Sequence, residues 1–116
     1  MELFQIVDLK PECFEEYRSA HESVPVESEL QEVGLHKIRV LHWTPLDNSS
    51  PIRLVMTGLW SATMEGETFE QAMERYMSLP GVAQWEAWMD KLKVPLPGCA
   101  GPNWQICSEL YRTPGS

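Results

Sequence analysis

The sequence contains no long apolar segment. No run approaches the roughly 18 consecutive apolar residues that a membrane-spanning helix requires. The first ten residues, MELFQIVDLK, also lack the basic region and long apolar core of a secretory signal peptide. We therefore expect a cytoplasmic protein that has no membrane partner.

Cysteine and positive charge are scarce as well. The three cysteines, Cys13, Cys99 and Cys107, form no C-x-x-C pair, and their odd number favours free thiols in a reducing compartment over a disulfide framework. Only 9 Lys and Arg stand against 17 Asp and Glu, so the net charge is −8. This charge has the wrong sign for binding phosphates, and we expect no nucleic acid partner.

Tryptophan, in contrast, is abundant. The chain has 116 residues, which predicts one domain over residues 1–116, and five of those residues are Trp. A Trp-rich core would bury much apolar area in a small domain. A ligand pocket lined by flat rings would use the same residues, and composition alone leaves both interpretations open.

The hydrophobic pattern predicts alternating strands and helices. Pro11 suits the first turn of a helix, and Gly34 can take the left-handed conformation that ends one. A turn rich in Pro, Asp, Asn and Ser separates two strands and indicates a hairpin. The predicted strands are 3–9, 35–43, 52–62 and 104–111, and the predicted helices are 11–21, 26–34, 69–79 and 80–92.

This order of elements predicts an α+β fold. It matches the ferredoxin-like arrangement, a four-stranded antiparallel sheet with helices on one face. The strands carry apolar residues at both alternations, so the second sheet face must be covered too. Domains of this kind commonly pair face to face as a dimeric α/β barrel. We therefore expect a homodimer, with a ligand cavity between the helices, the sheet and a partner strand.

Tyr17 and His21 form the most suggestive polar pair. Residues four apart share one face of a helix, so both side chains can meet one ligand. The alternative is that His21 is a solvated residue near a helix end and that Tyr17 covers the core. His36 and His42 also share a face, but the strand rise places them about 20 Å apart. That separation is too large for one metal ion, and we predict neither a metal site nor a cofactor.

The chain resembles the L-rhamnose mutarotase family over nearly its whole length. The resemblance rests on the motif Tyr17-x-x-x-His21 followed by Glu27, on the Glu-Val-Gly34 helix end and on a strand around Trp60 followed by an acidic loop. It rests further on the motifs Trp85-x-x-Trp88-Met89 and Ser108-Glu109-Leu110. Family members interconvert the α and β anomers of a sugar without a metal or cofactor.

The chain departs from the family pattern at three positions. The family has H-x-x-x-W-P-E after the histidine, whereas here Pro25 comes one place early and the Trp is absent. Ile38 stands where the family has a tyrosine that reaches the sugar, and Glu86 replaces the second residue of a Trp pair. Part of the sugar-contacting set therefore differs in this chain.

The resemblance implies a role for three of the candidate residues. His21 is the acid/base group, because histidine exchanges a proton near neutral pH, and Tyr17 is its catalytic neighbour. Trp85 belongs to the wall of the sugar site. Trp88 could present a second flat ring, and Arg18 and Glu27 could bind sugar hydroxyls, which need polar partners once buried.

Two other functions remain open from the sequence. One is a cofactor-free monooxygenase-like barrel that acts on an aromatic substrate in a dry, Trp-lined cavity. The other is a non-catalytic barrel that binds a small metabolite. A polar cavity would favour the mutarotase, and a cavity filled by Ile38 and its neighbours would favour the non-catalytic barrel.

Overall fold

The structure is a computed structural model that describes residues 1–115, and Ser116, the last residue of the expected domain, lies outside them. The strands are β1 (Glu2–Leu9), β2 (Leu35–Trp43), β3 (Ile52–Trp60), β4 (Lys93–Val94) and β5 (Gln105–Ile106). The helices are α1 (Phe14–Ala20, after a 3-10 turn at Pro11–Cys13), α2 (Glu27–Glu32), α3 (Phe69–Met77) and α4 (Val82–Leu92). Within residues 1–115, no helix is long and apolar enough to cross a membrane.

The strands form one antiparallel sheet. Its order is β2-β3-β1-β4, and β5 pairs with the same edge of β1 as β4 does. The fourth strand position is therefore shared by two short strands, β4 opposite Asp8 and Leu9, and β5 opposite Gln5 and Ile6. The predicted α+β, ferredoxin-like sheet of four strands with packed helices is confirmed.

Alternation along β1 separates a covered face of the sheet from an open one. Leu3, Val7 and Leu9 are buried on the covered face, whereas Phe4 is 51% exposed on the open face. Successive side chains of a strand point to opposite faces, so a single strand serves both. The buried core lies between the helices and the covered face.

A β-bulge sets which residues of β2 reach the covered face. The pairing register shifts between His36 and Arg39, and Lys37 adopts a positive φ of 54°. The extra residue reverses the alternation, so Leu35 before the bulge and Val40 after it face the same side. The inward face of this strand, uncertain from the sequence, is fixed by that bulge.

Two helix ends have clear local signals, and the predicted one at Gly34 is confirmed. Thr68 caps α3, and its hydroxyl and the Gln71 side chain form a reciprocal capping box. Gly34 follows α2 with a φ of 100°, and a side chain there would collide with the carbonyl group of Ser61. Glycine is required at this corner both for its conformation and for its close approach to β3.

The prediction of a long last strand is wrong. Residues 104–111 were expected to form a strand, but within this range only Gln105 and Ile106 pair with β1. The backbone N–H of Cys107 still donates to Phe4, but Leu110 and Tyr111 beyond it are highly exposed. An apolar, extended segment has the same sequence pattern whether or not it pairs with a sheet.

Candidate functional site

A cavity of about 390 Å³ lies between the helices and the covered face of the sheet. This volume is within the range of small-molecule sites. Ile38, Met56, Met73 and Trp85 contribute apolar walls, and Gln5, Tyr17, His21, Tyr76, Glu86, Lys93 and Asn103 contribute polar groups. Ile38 narrows the cavity without filling it.

His21 follows the last turn of α1 and lines this cavity. Its Nδ1 lies 2.7 Å from the backbone carbonyl oxygen of Tyr17. A carbonyl oxygen only accepts hydrogen bonds, so Nδ1 carries a proton and donates it. In the neutral ring Nε2 is then the basic nitrogen. Within residues 1–115, Nε2 makes no hydrogen bond, so it is available to a ligand.

The surroundings of His21 favour its neutral form. Burial lowers the pKa of the imidazole below its ordinary value, and the positive charge of Lys93 adds to this effect. The hydrogen bond to the Tyr17 carbonyl acts in the opposite direction. The ring is held between Tyr17, at a centroid distance of 4.3 Å, and Trp85, at 5.3 Å. His21 is therefore a fixed, neutral base at pH 7.

Tyr17 is buried in the core and also faces the cavity beside His21. Burial, together with the negative charge of Glu86, raises the pKa of the phenol above its ordinary value. The hydroxyl group therefore stays protonated at neutral pH and can donate a hydrogen bond.

The two tryptophans of α4 have different positions. Trp85 is buried, contacts His21 and lines the cavity, as expected for a substrate wall. Trp88 is 41% exposed, and its Nε1 donates a hydrogen bond of 2.7 Å to Glu16 of α1. Trp88 packs against Trp85 at 5.7 Å but does not line the cavity, so it supports the wall from behind.

Arg18 and Glu27 lie in a neighbouring groove. This groove has a volume of about 400 Å³ and shares Tyr17 and His21 with the cavity. Arg18 is exposed and forms ion pairs with Glu15 and Glu22 on its own helical face. Neither Arg18 nor Glu27 lines the cavity itself, so the structure does not bring them together with Trp85.

The far wall of the cavity carries charged groups that the sequence analysis did not assign to the site. Tyr76 of α3 donates a hydrogen bond of 3.0 Å to the Glu86 carboxylate. Lys93, the first residue of β4, is 4% exposed, and its Nζ lies 4.9 Å from the ring centroid of Trp104. Burial raises the pKa of Glu86 and lowers that of Lys93, and each charge partly opposes the shift of the other.

One family model decides the relationship of this chain to known proteins. The model for L-rhamnose mutarotase matches residues 2–113. The chain belongs to the L-rhamnose mutarotase family. No curated protein matches the chain. The match includes every strand and helix of the fold and every residue that lines the cavity.

In this member of the L-rhamnose mutarotase family, two of the three departures noted above, Ile38 and Glu86, line the cavity. The Ile38 side chain lines the cavity and lies directly over Gly58. A methyl group on residue 58 would collide with Ile38. Glu86 also lines the cavity, so an acidic side chain occupies a position where the family has a tryptophan. Both substitutions change the surface that a ligand meets.

The remaining histidines do not assemble a metal centre. His36 Nδ1 lies 3.1 Å from the carbonyl oxygen of Gly34, and His42 Nδ1 lies 3.0 Å from the hydroxyl oxygen of Thr44. Within residues 1–115, no three His, Cys, Asp or Glu side chains are grouped so that they could hold a metal ion.

Proposed function

We propose that this protein is a sugar mutarotase, which interconverts the α and β anomers of a hexose such as L-rhamnose by cofactor-free acid/base catalysis. The observation that carries the proposal is the state of His21. Its Nδ1–H is committed to the Tyr17 carbonyl, and its Nε2 is a free base in a cavity of monosaccharide size. Membership of the L-rhamnose mutarotase family supports the same reaction.

In this mechanism His21 carries one proton between two oxygen atoms of the sugar. Nε2 takes the proton of the anomeric hydroxyl while the C1–O5 bond breaks, and the imidazolium then gives that proton to O5. The product is the open-chain hydroxyaldehyde. Rotation about the C1–C2 bond presents the other face of the aldehyde, and the reverse steps close the ring as the second anomer. A positioned acid/base group typically contributes about 10²–10⁴-fold to such a step.

The neighbours of His21 support the two ends of this proton transfer. The Tyr17 carbonyl stabilises the imidazolium through the hydrogen bond from Nδ1. The Tyr17 hydroxyl, which stays protonated, can donate to a sugar oxygen in the cavity. Trp85 holds the imidazole ring edge-on and provides a flat wall for the sugar.

The lining of the cavity is mostly apolar, but the charged groups within it favour a sugar over an aromatic substrate. Glu86, Lys93 and Tyr76 would face an aromatic ring without hydrogen-bonding partners on it. Leaving buried charged groups without such partners is costly. The cavity is also not filled by Ile38, so it offers less support to a non-catalytic barrel.

The decisive test is anomer exchange measured by saturation-transfer NMR. Purified protein is added to L-rhamnose and to several other hexoses near neutral pH. Catalysis predicts exchange between the α and β signals that rises linearly with protein concentration. Exchange that stays at the buffer rate for every sugar would refute the proposal.

We also propose that the protein is a cytoplasmic homodimer. The open face of the sheet exposes Phe4, Leu41 and Trp43, and Trp43 is 64% exposed. Several large apolar side chains exposed on one face are typical of an interaction site. The three free cysteines favour a reducing compartment, and the charge of −8 disfavours nucleic acid and anionic membranes as partners. Sedimentation at micromolar concentration should give the mass of a dimer, and a compact monomer would contradict the assignment.

A further inference from the structure

Glu86 and Lys93 face the same cavity from adjoining elements. Glu86 lies on α4, and Lys93 is the residue that follows this helix. The two side chains do not form a direct ion pair with each other within residues 1–115. Each side chain nevertheless shifts the pKa of the other towards its charged form. Two opposite charges therefore line the same cavity without contacting each other.

Lys93 is the more exceptional member of this pair. Its residue is only 4% exposed, yet its ammonium group makes no hydrogen bond within residues 1–115. Its contact is with the face of Trp104, which attracts a cation but accepts no conventional hydrogen bond. An ammonium group has three donors, and a lysine buried to this degree is normally paired.

The Glu86 carboxylate is held in place and retains acceptor capacity. Tyr76 donates to one of its oxygens, and an ionised carboxylate can accept about four hydrogen bonds. The ammonium of Lys93 donates and the carboxylate accepts, so a hydroxyl group between them could satisfy both. An anionic ligand group would be repelled by Glu86, and a methyl group would leave both charges without a partner.

We propose that Glu86 and Lys93 form a subsite for a sugar hydroxyl, and that the preferred substrate is an aldose with a 6-hydroxyl group in place of the C6 methyl group of L-rhamnose. The proposal rests on the proposed mutarotase function. We assign the subsite to C6 because L-rhamnose, the sugar for which the family is named, carries its methyl group there, and a methyl group would leave both charges without a partner.

The subsite also lies near the reacting atoms. Trp85, which touches the His21 ring at 5.3 Å, directly precedes Glu86, and both side chains line the cavity. C6 is bonded through C5 to the ring oxygen that His21 would protonate. A sugar whose C1 and O5 meet His21 therefore carries C6 close to the same part of the cavity.

L-Mannose and L-rhamnose provide the test, because they differ only in the 6-hydroxyl group. Anomer exchange is measured by NMR for both sugars with the wild type, Lys93→Met and Glu86→Gln. The matched control is Lys91→Met, which removes an exposed lysine two residues earlier. Thermal melting of each variant establishes that it is folded.

We expect the wild type to have a kcat/KM for L-mannose about 10- to 100-fold above that for L-rhamnose, since buried polar groups reject an analogue that lacks the matching hydroxyl. Lys93→Met should reduce this ratio about 10-fold or more, Glu86→Gln should reduce it less, and Lys91→Met should leave it unchanged. A wild type that converts L-rhamnose as well as L-mannose, or a folded Lys93→Met with an unchanged ratio, would overturn the subsite while leaving the mutarotase function intact.

If neither sugar exchanges above the buffer rate, binding decides the subsite, and the proposed function fails if the other hexoses also stay at that rate. Saturation-transfer difference NMR then compares the affinities of the two sugars. Preferential binding of L-mannose that is lost in Lys93→Met would support the subsite in a protein without catalysis. Equal binding, or no binding of either sugar, would overturn it.

Discussion

The cavity has two walls that are built in different ways. The first wall is α1, where Tyr17 and His21 lie one helical turn apart and a single backbone carbonyl fixes the histidine tautomer. The second wall combines Tyr76 of α3, Glu86 of α4 and Lys93 of β4. The first wall is local in sequence and carries the proposed chemistry, whereas the second is assembled by tertiary packing and carries the charges that can select a ligand.

Because the walls are built differently, substitutions in one wall can leave the other wall unchanged. The first wall requires a helix of the right length and two residues at the right spacing. The charged wall depends on where α4 ends and on how α3 packs against it. A change at Glu86 or Lys93 can therefore alter the ligand while the acid/base group stays in place. Variants of the two walls should accordingly differ in which kinetic quantity they change.

The largest effect is expected from the first wall, at His21→Ala. The substitution removes the only base that the mechanism uses, so catalysed anomer exchange should fall by about 10²–10⁴-fold. The fold should persist, because His21 is half-buried at the end of α1, and within residues 1–115 its side chain forms a hydrogen bond only with that helix. NMR exchange rates and a thermal melt measure the two quantities. A folded His21→Ala protein with wild-type exchange would remove His21 from the mechanism.

The second largest effect is expected at Trp85, where the two walls meet. Trp85 is 8% exposed and contacts both His21 and Trp88. Replacing a buried Trp by Ala typically lowers the free energy of unfolding by about 3–5 kcal/mol. Trp88→Ala is the matched control in the same helix. Because Trp88 is 41% exposed, its loss should cost much less in the same denaturation measurement.

If Trp85→Ala and Trp88→Ala lowered the free energy of unfolding equally, Trp85 would not be the buried wall residue and Trp88 its outer support. A large change in sugar affinity at Trp88, with unchanged stability, would restore the expectation from the sequence that this ring touches the substrate. The side chain of Trp88 is instead fixed to Glu16 on the outer surface of α1.

These outcomes bear on what a sequence can predict. Tyr17, His21 and Trp85 were identified because i,i+4 spacing and a family motif are local properties. Residues three apart on a helix also share a face, but the structure turns that face so that Trp85 enters the cavity and Trp88 does not. Spacing within α4 alone cannot distinguish the two.

The burial of Lys93, in contrast, could not be predicted from the sequence. A lysine at the end of a helix is ordinarily a solvated partner of the helix dipole, so its sequence position gives no sign of a buried site. It is buried here because β4 pairs with Asp8 and Leu9 and Trp104 covers the ammonium group. The order of strands and helices along the chain was predictable from the hydrophobic pattern. The bulge at Lys37 and the short β5 were not, because both depend on pairing rather than on composition.

The pH dependence of exchange should reveal the electrostatic link between the walls. Burial and the charge of Lys93 lower the pKa of His21, so the basic form should persist and the acid limb of kcat/KM should lie below pH 6.5. Lys93→Met removes the positive charge that lowers the pKa of His21 and leaves the negative charge of Glu86 in the cavity. The acid limb should therefore move to higher pH in this variant. An acid limb at or above pH 6.5 in the wild type would contradict the environment described for His21.

The free energy of unfolding should also depend on protonation of His21. The unfolded chain binds a proton at His21 near pH 6.5, whereas the native state resists it, so the free energy of unfolding should fall as the pH drops from about 6.5 towards the folded pKa. His21→Ala should lose this part of the pH dependence. Urea denaturation at several pH values measures it.

The smallest effect is expected at Tyr17→Phe, which distinguishes the two roles of Tyr17. The ring fills the core and contacts His21, and the phenylalanine keeps both interactions. Within residues 1–115 the hydroxyl group makes no hydrogen bond, so its loss should leave thermal stability nearly unchanged. The backbone carbonyl that orients His21 is also retained. If the hydroxyl donates to the sugar, exchange should fall by about 10-fold, the value of one hydrogen bond, and by less than in His21→Ala. A rate equal to that of the wild type would leave Tyr17 as a purely structural neighbour of the base. A loss as large as that of His21→Ala would instead make its hydroxyl group part of the proton transfer itself.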